Sequence, residues 1–166
     1  MTILDASPDV RPIRQGTTYQ VLHRLLDAIR AELECREAPA CRYDVIVSQT
    51  PTQRGADLRG NGSQGRVWVR AVQESSPAGQ PCPPWLWADI EVGIVRCHQT
   101  IASDEVSLPG EDVYAAEVLQ VEQDRQAVAA AARTVRPKLW VTSWRPYGPQ
   151  SYAVGSLTEF RFRRRT

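Results

Sequence analysis

The stretch from Trp85 to Thr100, WLWADIEVGIVRCHQT, is the longest in the chain that obeys a period of two. Leu86, Ala88, Ile90, Val92 and Ile94 fall on one side; Trp85, Trp87, Asp89, Glu91, Gly93, Val95 and Cys97 fall on the other. A helix would scatter these sets around its circumference, whereas a pleated strand sends successive side chains to opposite faces. The alternation therefore predicts a long central strand with one dry face. Its other face, carrying two acids beside two tryptophans, is expected to meet water or another subunit.

The flanking patterns supply the rest of an α+β fold. Val21, Leu22, Leu25, Leu26, Ile29 and Leu33 recur at helical spacing behind a capping box of Thr17 and Gln20, which predicts a helix ending before Pro39. Tyr43, Val45 and Val47 suggest a first strand. Arg66, Trp68, Arg70 and Val72, alternating with Val67, Val69 and Ala71, suggest a second. If the second strand neighbours the central one, Arg66 or Arg70 is expected to pair with Asp89 or Glu91.

Acids at Glu111 and Asp112, behind Ser107 and Pro109, open a second helix, with Tyr114, Val118, Val121, Val128, Ala132 and Val135 as its apolar stripe and Pro137 as its stop. Leu139 to Arg145 forms a short strand with Trp140, Thr142 and Trp144 on one side. Pro146, Gly148 and Pro149 then make a turn, and Tyr152 to Arg164 returns as a last strand. The order helix, three strands, long helix, two strands fits a mixed or antiparallel sheet of about five strands with helices on one face. At 166 residues the chain is expected to form one domain over 1–166, with 1–16, holding Pro8, Pro12 and Gly16, as an extended arm.

Motifs that would carry chemistry are missing or misplaced. The segment from Gln49 to Gly65, QTPTQRGADLRGNGSQG, satisfies the bare GxGxxG spacing at Gly60, Gly62 and Gly65. A strand follows it, however, where dinucleotide binding needs a helix amino end. It reads instead as a long polar hairpin loop, a contact surface offering Arg54, Arg59 and Asn61. Cys35, Cys41, Cys82 and Cys97 contain no CxxC pair, so neither a disulfide framework nor a zinc site with His23 or His98 is expected. His23 sits among leucines with no partner close in sequence, and reads as an ordinary helix residue.

Asp89 and Glu91, two residues apart on one strand face, are chemically able to act as acid and base or to hold a cation. No Ser/His/Asp set accompanies them, and an interface explains them more simply. Twenty basic and nineteen acidic residues leave a formal charge of +1, so no global field favours nucleic acid or an anionic membrane. Arg161, Arg163, Arg164 and Arg165 form the densest local cluster, which suits either a polyanion or salt bridges to a neighbouring subunit. The chain shows no segment of roughly 20 apolar residues, and its first residues lack the pattern of a secretion signal.

Three elements in a fixed order carry a resemblance: EVGIVRC (Glu91 to Cys97), WxPxGP (Trp144, Pro146, Gly148 and Pro149) after an alanine-rich helix, and Gly155 leading an alternating strand. Over residues 85 to the end, the chain resembles a family of small head-to-tail connector proteins of actinobacterial tailed phages, the tail terminators among them. That resemblance implies a ring subunit, typically one of six, which caps the tail tube and meets a stopper or other neck protein while DNA passes through without specific binding. It implies a virion protein assembled in the host cytoplasm, with no catalytic residues, cofactor, metal or membrane contact.

The contact residues expected under this reading are Arg54, Arg59, Asn61, Arg66, Arg70, Asp89, Glu91, Arg161 and Arg163. A stopper or adaptor of the same neck is the alternative reading, followed by a nucleic-acid-binding domain using the C-terminal arginines, with a small enzyme last.

Overall fold

The alternating stretch becomes the middle strand of a five-stranded sheet. The structure is a computed structural model that describes residues 17–40, 42–46, 65–77, 83–97, 110–150 and 153–166. In chain order the elements are α1 (Thr18–Cys35), β1 (Arg42–Ile46), β2 (Arg66–Ser75), β3 (Trp85–Cys97), α2 (Glu111–Thr134), β4 (Trp140–Gln150) and β5 (Ala153–Arg165). The strands lie in the order β1-β2-β3-β5-β4. β1 runs parallel to β2 and every other pair is antiparallel, so the sheet is mixed and the fold is α+β.

Both helices pack on one face. Ala88, Ile90, Val92 and Ile94 of β3 join Val67 and Val69 of β2 and Phe160 and Phe162 of β5 in a single apolar cluster. Val21, Leu25, Ile29 and Leu33 of α1 close it from above, together with Ala127, Val128 and Ala131 of α2. Each fully buried Leu, Ile or Phe contributes about 1.5–3 kcal/mol of transfer free energy. The alanines let α2 lie close to α1 and the sheet. At the start of α1, the Gln20 amide donates to Thr17 Oγ1 at 3.4 Å, as the capping pattern predicts.

The same face also holds a buried ion pair. Arg96 continues the even-numbered side of β3 and donates from Nη2 and Nε to Asp124 of α2, at 2.6 and 2.9 Å. Its Nη1 and Nη2 also donate to the carbonyls of Pro39 and Ala38, at 3.0 and 2.9 Å, and Gln120 Nε2 donates to Asp124 at 3.1 Å. One guanidinium thus ties the end of β3 to α2 and to the segment after α1, with its desolvated donors satisfied.

Several sequence expectations are corrected. β1 and β2 pair in parallel, not as the antiparallel neighbours a hairpin joins, so the hairpin reading of Gln49 to Gly65 is corrected; residues 47–64 lie outside the described residues. β4 continues through Pro146, Gly148 and Pro149 to Gln150, with a register shift between Tyr147 and Gln150, so WxPxGP is strand and not turn. Proline is tolerated there because β4 is an edge strand.

A register shift between Val141 and Ser143 turns Trp140 to the open face and Trp144 to the helix face, although the alternation placed them together. A similar shift after Ala71 displaces Val72, leaving it 47% exposed, and seats Gln73 opposite Asp89.

Tyr114 and Val118 are not core residues either. The first turns of α2, ahead of Val121, hold no buried residue, and Val118 is 69% exposed. Arg161, Arg163 and Arg164 lie in β5, as the last strand predicted, and Arg165 ends it. The arm at 1–16, Arg54, Arg59, Asn61, Cys41, Cys82 and His98 lie outside the described residues.

Candidate interaction face of the sheet

The face of the sheet turned away from the helices is built from the odd-numbered side of β3 and its partners across the strands. Antiparallel register sets Arg70 opposite Glu91, Trp68 opposite Gly93 and Arg161 opposite Asp89. Cross-strand neighbours lie close enough for their side chains to interact. The result is three adjoining zones.

Nearest β1, Arg66 Nε donates to Asp44 Oδ2 at 2.7 Å, and Arg42 joins the same carboxylate at 2.9 Å. In the middle, Arg70 Nε donates to Glu91 Oε1 at 2.8 Å. Arg145 Nη2 lies 3.5 Å from both Glu91 and Glu159. Glu91 is only 2% exposed although no helix covers it, because its neighbours' side chains close over it. Beside it the Trp68 indole lies across Gly93, so close that a Cβ at position 93 would fall 1.9 Å from the ring.

The third zone is aromatic. Trp85 and Trp87 meet edge to face at 5.0 Å, and Trp87 meets Trp140 of β4 at 5.8 Å. Cations stack on these rings: Arg163 on Trp85 at 4.2 Å, Arg161 on Trp87 at 5.9 Å and Lys138 on Trp140 at 5.9 Å. Arg161 also grips Asp89 through two donors, at 2.6 and 2.9 Å, and Gln73 Nε2 donates to the same carboxylate at 2.9 Å. The Arg161 hydrogen bond is the largest cause holding the Asp89 carboxyl below its usual range; burial opposes it and Gln73 adds to it.

The structure therefore brings together six of the nine residues singled out in the sequence. Arg70 pairs with Glu91 as expected, but Arg66 pairs with Asp44 of the edge strand and Asp89 is taken by Arg161. Arg163 packs on tryptophan, while Arg164 turns to the helix side and pairs with Glu74 at 3.1 Å. Sequence reasoning missed Asp44, Gln73, Lys138, Trp140 and Arg145. The signal for Gln73 and Trp140 was hidden by the shifts at Ala71/Gln73 and Val141/Ser143, and Asp44 and Arg145 meet Arg66 and Glu91 on other strands, which local spacing does not bring near.

Chemically, the face offers paired ions, aromatic rings and stacked cations. Asp89 and Glu91 are both held by arginines, so neither is placed as a free acid or base. Among the described residues no group of three or more His, Cys, Asp or Glu side chains is arranged to hold a metal ion, and no helix is long and apolar enough to cross a membrane. No protein-family profile matches the sequence, and no curated protein matches it either.

Proposed function

We propose that this chain is a ring-forming structural protein of a tailed-phage neck, a tail terminator that caps the tail tube and joins it to the head-to-tail connector. The observation that carries the reading is the set of surfaces the fold leaves unfinished. β4 is an edge strand with no outer partner among the described residues, and Val141 and Trp144 on it are 57% and 38% exposed. The overhanging half of α2 presents Tyr114, Val118 and Leu119. Two dissimilar sticky surfaces on one subunit suit the head-to-tail contacts that close a ring, whereas a lone monomer gains nothing from exposing them.

The resemblance of EVGIVRC, WxPxGP and the strand after Gly155 to connector proteins supports the same reading, as does the element order. The proposed partners are copies of itself, a tail tube protein and a stopper or adaptor, with the virion neck as its location and no catalytic role.

Light scattering on the purified chain, followed by negative-stain imaging, tests the proposal. A mass near six subunits and ring-shaped particles are expected, together with capture of tail tube protein from phage-infected cells. A chain that stays monomeric at high concentration and is missing from purified particles would sink it.

A further inference from the structure

We propose that the Trp85–Trp87–Trp140 corner of the open sheet face is a binding site for single-stranded nucleic acid. The inference does not depend on ring assembly, and it comes from how charge is distributed over the face. Among the described residues, eight cations (Arg42, Arg66, Arg70, Lys138, Arg145, Arg161, Arg163 and Arg165) share this face with four carboxylates, those of Asp44, Asp89, Glu91 and Glu159. The whole chain carries only +1, so the excess is local.

Within the face, the middle zone is internally neutral, with Arg70 and Arg145 answered by Glu91 and Glu159. An anion arriving there would have to break existing pairs. The aromatic corner differs. Arg161 is answered by Asp89, but Arg163, Arg165 and Lys138 make no ion pair with any described residue, and all three are exposed. Three cations without an ion pair among the described residues border a row of indoles in which Trp87 meets both Trp85 and Trp140.

That combination matches one polyanion chemistry better than others. A single strand brings phosphates at regular spacing and unstacked bases whose faces pack on tryptophan or on a guanidinium plane, whatever their sequence. Arg163, whose Cζ lies 4.2 Å from the centre of the Trp85 ring, offers such a guanidinium plane together with its N–H donors. A duplex hides its base faces, and an acidic peptide has none, so neither would draw on the indoles.

Fluorescence anisotropy of the full chain with labelled dT and rU oligonucleotides and a matching duplex, at two salt concentrations, reads this directly. Both single strands are expected to bind more tightly than the duplex. Trp140→Ala is expected to weaken binding roughly ten-fold or more, and Lys138→Ala with Arg163→Ala to flatten the salt dependence by about 0.7 log units per lost phosphate contact. Arg125→Ala on α2, which removes one positive charge away from this corner, should stay within about two-fold, and circular dichroism checks that each variant folds.

If Trp140→Ala fails to fold, the Lys138/Arg163 pair and quenching of the native tryptophan fluorescence by oligo-dT decide. Equal binding of duplex with no effect of Trp140→Ala would overturn the proposal in favour of a general polyanion or acidic-protein surface. No binding of any oligonucleotide at low salt would overturn it outright.

Discussion

The two faces of β3 use arginine in opposite ways. On the helix face Arg96 is sealed against Asp124 with all its partners inside the protein, and the pair is almost wholly buried. On the open face Arg161 holds Asp89 with its own side chain 43% exposed, while Arg163 lies on an indole and pairs with no carboxylate among the described residues. The difference is one of dielectric surroundings. A buried charge that loses its partner has no water to fall back on, so the helix-face pair is structurally obligatory, whereas an open-face cation is still solvated when it loses its partner.

The largest expected break in that contrast is Asp124→Ala, which strands the Arg96 guanidinium under α2. Urea unfolding should show a loss of about 3–5 kcal/mol. Replacing both partners by apolar residues, Arg96→Met with Asp124→Leu, should recover most of it, since no charge is then left buried. If Asp124→Ala proves as mild as a surface substitution, the contrast between the faces collapses.

Gly93→Ala comes next, because the added methyl collides with the Trp68 indole. A destabilisation of about 1–3 kcal/mol is expected. In a double-mutant cycle, Trp68→Leu should relieve part of it, whereas strict additivity would mean that the two positions do not meet.

Asp89→Asn should cost about 1 kcal/mol or less, since Arg161 is half in water. The pH dependence sharpens this. The Asp89 carboxyl sits below its unfolded value, so its contribution is fully present above about pH 4 and is lost as pH falls through the folded value. The exposed Glu122, hydrogen-bonded first by Arg125 and then by Gln126, is lowered to about 2 and should behave likewise. A carboxyl NMR titration placing either group at or above the ordinary carboxylate range would refute the pairing.

Smallest in stability is Val118→Ser on the overhang of α2, expected to lie within about 0.5 kcal/mol of the parent. Its effect belongs in association: sedimentation should show weaker self-assembly if this helix half is covered by a neighbour.

Much of the fold was legible beforehand, for reasons that can be located. The apolar set on β3, the leucine stripe of α1 and the acids opening α2 are local periodicities, and each element formed where its period said it would. The open face was legible only in part. Arg70 and Glu91 were found because two regular strands lie side by side without slippage at that point. Trp140 was assigned with Trp144 because a period of two cannot anticipate a bulge. Tyr114 and Val118 looked like core because they share the spacing of Val121 and Val128, and a spacing carries no information about where the sheet beneath a helix ends.

What the sequence determined by itself is therefore the inventory of elements and the dry side of the regular ones, β3 and α1, since both follow from the direction in which neighbouring side chains leave one backbone. Tertiary structure alone decided which charges meet. Arg96 and Asp124, or Asp89 and Arg161, are distant in sequence, and only strand order, register and bulges bring them within hydrogen-bonding reach. An ionic contact is specified by distances of a few ångströms between separate segments, and no periodicity within one segment encodes those.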